Sequence, residues 1–352
     1  MEFGLSQDQV LLDDSVRKYL SSEVSIDVVR RIASGEQSDA DIWRGLGDMG
    51  LTGIIIPEAQ GGAGLGMLDA VALAEALGYA ACPGPFLSSA IMSAHLLNQA
   101  GATDPLSGMA SGAYRVGIAF SDFVGSRKGA VSVSDSKLGG HSLYALDAAA
   151  DAYLVALSDG RVFMVESEHV ERKALTTIDA TRGVCELRFD QTPACLVTED
   201  ARLVRDTIYR GRAIQAADTL GAAQYMLDQA VAYSLDRKQF NRAIGSFQAV
   251  KHMCAEMASQ LEPCRAFVWY AGHAFDESTE DAATTACHVK AHLSEVGQFV
   301  AKTSTEVHGG MGFTDLVGLH YWFKRIGFNR QLLGSPETVR HEVAVLQGLC
   351  EA

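Results

Sequence analysis

The sequence predicts an α+β fold that is mainly helical, with one β domain between two helical segments. Apolar residues recur at helical spacing through the first 110 or so residues, and again from Leu203 to the end of the chain. Between Tyr114 and Thr198 the apolar period changes to two, which is typical of strands. We therefore predict a helical domain over residues 1–110, an antiparallel β domain over 111–200 and a four-helix bundle over 201–352.

The N-terminal segment carries recognisable helix starts. Ser6 and Gln9 have the spacing of a capping box, in which each side chain bonds the other residue's backbone. Ser38 or Asp39 is a candidate N-cap, because Trp43 and Leu46 follow at helical spacing. These positions predict two helices in this segment.

A glycine-rich stretch, GIIIPEAQGGAGLG, follows those helices. Closely spaced glycines can cradle a phosphate, so this stretch is a candidate for that role. No strand-turn-helix pattern surrounds it, as a dinucleotide site would require, and a plain loop is the favoured interpretation. The closely spaced glycines after Pro57 are Gly61, Gly62, Gly64 and Gly66.

The middle segment contains several short strand patterns, including AYLVAL, RVFMVE and VCELRFD. In the last pattern apolar and polar residues alternate, so we expect one face to be buried and the other exposed. The turn SDG at Ser158–Gly160 separates two of these strands. The residues expected to face inward are Cys185, Leu187 and Phe189.

The C-terminal segment contains two apolar stripes at helical spacing, which indicate helices packed in a core. His288 and His292 lie one helical turn apart in this segment, but the glutamate of an H-E-x-x-H metal site is absent. We expect no metal. The stripes comprise Val250, Met253, Met257, Leu261, Cys264 and Val268, and then Val289, Leu293, Val296 and Val300.

The composition excludes several classes of protein. The chain has 352 residues, 48% of them hydrophobic, and a formal net charge of −14, which disfavours nucleic acid as a partner. No apolar run approaches the ~20 residues needed to span a bilayer, and the N-terminus lacks the pattern of a signal peptide. Seven cysteines without a C-x-x-C pair indicate free thiols in a reducing compartment. We expect a soluble protein of the cytoplasm.

Two motifs carry the chemistry: YSLDRKQFNRAIGSFQ at Tyr233–Gln248 and EVHGGMGF at Glu306–Phe313. Arg237 offers a planar fork of donors that matches a diphosphate, and Phe240 offers a flat apolar face. The glycines of the second motif let a ligand approach the backbone closely. Arg237, Lys238, Arg242 and Lys251 form a local basic cluster in an otherwise acidic chain.

In this order and separation, the two motifs resemble those of the acyl-CoA dehydrogenase family of flavoproteins. That resemblance implies that an R-x-Q-F turn reaches across a subunit interface to the ADP half of a neighbour's FAD. The glycine-rich loop matches the P-E-x-x-G-G-x-G-x loop of the family, and the segment order matches as well. The residues that the resemblance assigns to the FAD site are Arg237, Gln239, Phe240, Gln248, Glu306, Gly309, Gly310 and Gly312.

The family reaction is the α,β-dehydrogenation of an acyl-CoA thioester, in which a carboxylate removes the α-proton and FAD accepts the hydride. In the stretch that carries this carboxylate in typical members, LLGSPETVRHE, Gly334 occupies the position of the base. Glu337 lies nearby, but Ser335 and Pro336 before it indicate a helix start. Other members place the base on the helix before the R-x-Q-F turn. In the matching stretch here, YRGRAIQAADTLG, Arg210 or Gly211 lies near that position, and Asp218, about two helical turns later, is the only carboxylate. Glu337 and Asp218 are therefore weak candidates, and we expect no catalytic base in this chain.

A second departure concerns the T-E-P-x-x-G-S-D loop that contacts the flavin ring in catalytic members. After Tyr114 this chain has RVGIAFSDFVGSRKGAVSVSD instead. The chain resembles the subunit of heteromeric α2β2 actinobacterial acyl-CoA dehydrogenases that lacks the base. The resemblance implies a homologous partner subunit, an acyl-CoA substrate, with steroid-derived thioesters among the candidates, and an electron-transfer flavoprotein as electron acceptor.

Two alternatives remain open from the sequence. The chain could form a self-sufficient homotetramer in which Glu337 or Asp218 acts as the base. It could instead be a flavin-free helical scaffold that binds an acyl-CoA or a partner protein.

Overall fold

The computed structural model describes residues 4–125 and 127–351. These residues divide into two compact units. The first unit lies within Met1–Arg31, Val71–Cys82 and Ala213–Ala352, and the second comprises Ile32–Ala70 and Pro83–Arg212. No helix in the described ranges is long and apolar enough to cross a membrane. All seven cysteines are free.

The N-terminal segment is helical, as predicted. Its elements are α1 (Gln7–Glu23), α2 (Ile26–Ala33), α3 (Ala40–Asp48), α4 (Met67–Tyr79), a buried π-helix (Phe86–Ser93), α5 (Ala94–Gln99) and α6 (Leu106–Ala110), with short 3₁₀ turns at Leu51–Gly53 and Glu58–Gln60.

The predicted capping box begins α1. The Ser6 hydroxyl accepts from the Gln9 backbone N–H at 3.2 Å, and the Gln9 amide oxygen accepts from the Ser6 N–H at 2.9 Å. Two otherwise unpaired donors of the first turn are satisfied in this way. Asp39 is the N-cap position of α3, but its carboxylate binds Arg115 rather than the helix.

The middle segment forms one sheet with the strand order β6-β7-β3-β1-β4-β5-β8, in which β2 also pairs with β3. A four-residue helix, α7 (Ser121–Val124), follows β1. The strands are β1 (Val116–Ala119), β2 (Ser132–Ser134), β3 (Lys137–Leu146), β4 (Ala152–Ala156), β5 (Val162–Glu166), β6 (Glu171–Ala174), β7 (Val184–Pro193) and β8 (Cys195–Thr198).

The sheet is antiparallel as predicted, except for one pair: β1 and β4 run parallel. Strand β3 returns antiparallel on one side of β1, and the chain then crosses to form β4 on its other side. All four residues of the central strand β1 are buried, so both of its faces are covered and it shows no alternation of buried and exposed positions. In β7 the alternation is present: Cys185, Leu187 and Phe189 are buried, whereas Arg188 and Asp190 are exposed.

The C-terminal segment is a helical bundle. Its elements are α8 (Ala201–Asp236), a small hairpin of β9 (Lys238–Gln239) and β10 (Arg242–Ala243), α9 (Gln248–Asp276), α10 (Ala282–His308), α11 (His320–Gln331) and α12 (Pro336–Leu346).

Helices α4 and α8 touch backbone to backbone within the first unit. A Cβ atom at Gly78 would lie 2.0 Å from the Asp218 carbonyl oxygen, and one at Gly221 would lie 1.9 Å from the Glu75 carbonyl oxygen. Only glycine permits so close a crossing. This contact fixes the part of α8 that leads towards the first motif.

Candidate functional site

The first motif forms a two-residue hairpin directly after α8. Lys238 and Gln239 pair with Ala243 and Arg242, and the turn residues Phe240 and Asn241 have φ values of 52° and 62°. Two successive positive φ angles define a type I′ turn, which usually contains Asn and Gly. Phe240 is thus a bulky residue in a left-handed conformation, and its side chain is 88% exposed.

The backbone of Arg237 is held on both sides. Its N–H donates to the Tyr233 carbonyl at 2.9 Å, and its carbonyl accepts from the Ile244 N–H at 2.8 Å. The side chain is exposed, and no described residue gives its guanidinium a hydrogen bond or ion pair. A fixed backbone with an unpaired guanidinium is suited to an anion from outside the chain.

An aromatic and cationic group supports the hairpin. The rings of Phe240 and Phe247 meet edge to face at 6.1 Å, and the Arg242 guanidinium lies 3.9 Å from the centre of the Phe247 ring. Arg242 is therefore occupied by a cation–π contact. Gln239 in β9 and Gln248, the first residue of α9, are both exposed.

The second motif forms the end of α10 and a 3₁₀ turn, Gly309–Phe313. Gly309 has φ 58° and ψ −139°, a conformation that L side chains rarely adopt. A Cβ at Gly312 would lie 2.8 Å from the Thr305 carbonyl oxygen. Gly310 has no positive φ, and a Cβ there would meet nothing within 4 Å. Glu306, on the last turn of α10, is exposed.

The structure brings the two motifs together. The rings of Tyr233 and His308 stack with centroids 4.6 Å apart and planes inclined by 26°. The hairpin after α8 and the glycine turn after α10 therefore lie at the same end of the bundle. This contact was not predicted, although both residues lie inside the two motifs.

Asp218 is fully engaged in a buried network. Arg325 approaches it in a bidentate manner, with Nε–Oδ1 at 3.0 Å and Nη2–Oδ2 at 2.6 Å, and Asn329 Nδ2 donates to Oδ1 at 2.6 Å. Arg325 Nη1 also donates to the Cys82 carbonyl at 3.0 Å. A carboxylate with these partners holds helices together and has no free oxygen for a substrate proton.

Glu337 lies where the sequence predicted a helix start. Ser335 is the N-cap of α12 and accepts from the Thr338 N–H at 3.3 Å, and Pro336 is the first helical residue. Hydrogen bonds from its own backbone N–H and from Ser335 lower the pKa of Glu337. A general base for a weak carbon acid needs the opposite shift. Gly334 precedes this helix with φ 108°.

The other predicted base position is also occupied by residues without that function. Gly211 lies within α8 and carries no side chain, and Arg210 Nε donates to Asp206 Oδ2 at 2.9 Å. The same carboxylate oxygen lies 2.8 Å from His95 Nε2. Among the described residues, no group of three metal-ligating side chains is present.

Asp122, in the short helix that follows β1, binds two backbone groups later in the chain. Its buried carboxylate accepts from the backbone N–H groups of Gly129 at 2.7 Å and Val131 at 3.0 Å. These bonds close the segment after β1 on itself through α7. This segment stands where catalytic members have the loop that contacts the flavin ring. Its buried carboxylate, Asp122, is used for internal structure instead.

The glycine-rich loop also uses its donors internally. The N–H groups of Gly61, Gly62, Gly64 and Gly66 donate to Glu58, Pro57, Ile56 and the Asp69 carboxylate. Because none of these donors is left over, the loop does not form a phosphate cradle. The favoured interpretation as a plain loop is therefore supported.

Comparison with known proteins places this geometry in a family. The acyl-CoA dehydrogenase N-terminal domain model matches residues 6–104, and the C-terminal domain model matches residues 201–345. The acyl-CoA dehydrogenase IpdE2 of Mycolicibacterium smegmatis is 30% identical over 94% of this chain and 96% of its own length.

Solved structures share the fold. The ChsE4-ChsE5 complex from Mycobacterium tuberculosis matches with a TM-score of 0.88 and 23% identity, covering 100% of both chains. A variant of the Tcur3481-Tcur3483 steroid ACAD matches with a TM-score of 0.88 and 24% identity, covering 97% of this chain and 98% of that chain. The domain models and the nearly full-length match to IpdE2 lead to one conclusion: this chain belongs to the acyl-CoA dehydrogenase family.

Proposed function

We propose that this chain is one subunit of a heteromeric, FAD-dependent acyl-CoA dehydrogenase. It contributes contacts to the ADP half of FAD, and a homologous partner supplies the catalytic carboxylate and the flavin-ring contacts. When bound, FAD supplies the two-electron acceptor for α,β-dehydrogenation of an acyl-CoA thioester. The contacts come from Arg237, Gln239, Phe240, Gln248, Glu306, Gly309, Gly310 and Gly312.

The observation that carries the proposal is the end of the bundle where the hairpin and the glycine turn meet. Arg237 presents an unpaired guanidinium there, and Phe240 presents an exposed ring. No atom of the described residues explains the lack of a side chain at Gly310, since a Cβ there would lie in open space. A ligand that approaches from outside explains all three features, and a diphosphate with an attached adenosine matches their chemistry.

The side chains that could act as a base support the need for a partner. Asp218 is held by Arg325 and Asn329, and Glu337 has a lowered pKa at an exposed helix start. Removing an α-proton needs a positioned carboxylate with a raised pKa. We therefore assign the base to the partner subunit.

The names of two fold relatives favour a two-subunit assembly. ChsE4-ChsE5 and Tcur3481-Tcur3483 each pair two names, and the latter is called a steroid ACAD. We extend both features to this chain: a homologous partner, and a bulky steroid-derived thioester as the candidate acyl group. Electrons then leave through an electron-transfer flavoprotein.

Flavin content tests the proposal directly. The chain purified alone should be colourless, and the assembly purified with its partner should show flavin absorbance. In the assembly, Arg237→Ala should weaken FAD binding at least about 30-fold, because a desolvated charge pair contributes about 2–5 kcal/mol. Arg237→Lys should restore only part of this, since a point charge cannot match the fork.

Arg44→Ala serves as the control, because Arg44 is an exposed arginine on α3 paired only with the neighbouring Asp41. That variant should retain all of its flavin. Full flavin content in an assembled Arg237→Ala variant would overturn the proposal. A chain that is yellow when purified alone would favour the homotetramer.

A further inference from the structure

We infer that Tyr233 and His308 are positioning residues that couple the hairpin to the glycine turn, so that the two segments present one binding surface. This inference rests on the function proposed above and assigns a role to two side chains that touch each other rather than the ligand. Its physical basis is the packing of α8 against α10.

Helices α8 and α10 are joined at two levels. Ser304 Oγ donates to the Met226 carbonyl at 2.6 Å, and both residues are buried. Further along both helices, the His308 ring stacks on Tyr233. Ser304 to His308 is one turn of α10, and Met226 to Tyr233 is two turns of α8, about 6 and 10 Å along the axes. The two helices therefore run in the same direction and end side by side.

The stack of Tyr233 on His308 lies close to the C-terminal ends of both helices. Tyr233 precedes Arg237 by one helical turn and accepts its N–H through the backbone. His308 is the last residue of α10, directly before Gly309. A helix end frays easily because its last carbonyls lack partners. The stack thus holds both ends at the point where each motif leaves its helix.

The geometry of His308 suits this role. Its Nδ1 lies 2.8 Å from the Ser304 carbonyl, so the ring is oriented by its own helix. The side chain is buried, and burial lowers the pKa of His308, which keeps the ring neutral. A neutral ring with a fixed orientation can keep the stacked arrangement on Tyr233, which is one of the favourable geometries for aromatic pairs.

The first half of the glycine turn has few other internal restraints, whereas Gly312 packs against α10. Gly309 and Gly310 have no atoms within 4 Å of their Cβ positions, and Phe313 is 81% exposed. Its position relative to Arg237 therefore depends on the end of α10. Without the stack, the guanidinium and the Gly310 backbone would still be present but would not share a fixed separation.

Tyr233→Leu in the full chain, assembled with its partner, tests the inference. We expect FAD to bind about 2- to 10-fold more weakly, the range of an aromatic pair converted to affinity. We also expect faster hydrogen exchange at the amides of Gly309–Phe313, although the substitution lies on the other motif. Tyr233→Phe keeps the ring, so its FAD affinity and its hydrogen exchange at Gly309–Phe313 should match those of the unmodified chain.

Tyr225→Leu is the matched control. Tyr225 lies two turns earlier on α8 and stacks on Trp322 at 3.7 Å, so its loss removes a comparable ring contact away from the motifs. It should lower stability without changing exchange at Gly309–Phe313. If Tyr233→Leu does not fold, His308→Gln removes the same stack from the other side while keeping a donor for the Ser304 carbonyl.

The outcomes separate this inference from the function that it rests on. If Arg237→Ala loses FAD but Tyr233→Leu changes neither FAD affinity nor exchange in the glycine turn, the coupling is wrong and the proposed function stands. If Arg237→Ala retains FAD, both are wrong. Equal effects of Tyr225→Leu and Tyr233→Leu on the glycine turn would show general destabilisation and overturn the coupling.

Discussion

At the scale of single residues, the three glycines of the Gly309–Phe313 turn are required for different reasons. Gly309 has a backbone conformation that disfavours side chains, and Gly312 has the Thr305 carbonyl where a Cβ would lie. Gly310 has neither constraint. The motif therefore combines two positions needed for folding with one, Gly310, that no contact among the described residues explains.

This difference predicts opposite results for two similar substitutions. Gly310→Ala should leave the free energy of unfolding of the chain unchanged within about 0.5 kcal/mol, yet reduce FAD content in the assembly, because the methyl group occupies the approach to the backbone. Gly312→Ala should lower the free energy of unfolding by about 1–3 kcal/mol through overpacking. Denaturant unfolding and flavin absorbance measure the two effects.

The flavin content of Gly310→Ala can contradict the role assigned to Gly310. Normal flavin content in Gly310→Ala, with Arg237→Ala depleted, would show that the ligand does not pass close to this backbone. The hairpin alone would then form the contact.

At the scale of elements, the hairpin between α8 and α9 is strained at its tip. Phe240 adopts a left-handed conformation that costs an L residue about 1–2 kcal/mol. Its ring is exposed and meets only Phe247 at edge-to-face distance. Strain of this kind persists where the conformation serves a function. The turn thus aims an apolar ring outward at the expense of stability.

A substitution that relieves the strain at Phe240 should raise stability and weaken FAD binding. Phe240→Gly should raise the free energy of unfolding by about 0.5–1 kcal/mol, since glycine removes the strain but loosens the unfolded chain. The same variant should bind FAD more weakly because the flat apolar face is lost. Asn241→Gly is the control: it changes the neighbouring turn residue and keeps the ring, so its flavin content should stay normal. Greater stability together with full flavin content in Phe240→Gly would contradict the assigned role of the ring.

At the scale of the whole molecule, the chain has the fold of its family, but its two candidate bases and Asp122 have structural roles. Asp218 ties α8 to α11 through Arg325 and Asn329, and Glu337 lies in the first turn of α12. Asp122 closes the segment after β1. Under the proposed function, proton abstraction therefore falls to the partner subunit.

The assembled enzyme should show this division in its turnover. Glu337→Gln should leave turnover within a few-fold of the unmodified assembly, whereas loss of a true base costs about 10²–10⁴-fold. Asp218→Asn should instead reduce stability by about 3–5 kcal/mol, because it breaks a buried pair and leaves Arg325 uncompensated. Steady-state turnover and thermal unfolding of the same preparations distinguish the two effects. A collapse in turnover for Glu337→Gln, with flavin and assembly intact, would favour the self-sufficient homotetramer.

Much of the fold follows from local sequence. The capping box at Ser6 and Gln9, the helix start at Ser335 and the alternation in β7 each depend on residues a few positions apart. Such patterns act within one element, so the sequence alone determines them. The meeting of the two motifs was not predicted: in the structure α9 and α10 have similar lengths, 29 and 27 residues, so the chain returns to the end where α8 stopped.

The tertiary structure decided what those local patterns could not. In the sequence, Asp218 is simply a carboxylate within a helix. Its structural role follows from its contact with Arg325, which lies more than a hundred residues later in the chain. The parallel pairing of β1 with β4 depends on which strand enters the centre of the sheet. Gly310 and Gly312 differ in whether an atom from another part of the chain lies where a Cβ would be: the Thr305 carbonyl does so at Gly312, and nothing does at Gly310. In the first two cases the deciding interaction joins residues far apart in the chain, and burial and charge pairing are properties of that packing rather than of the local sequence.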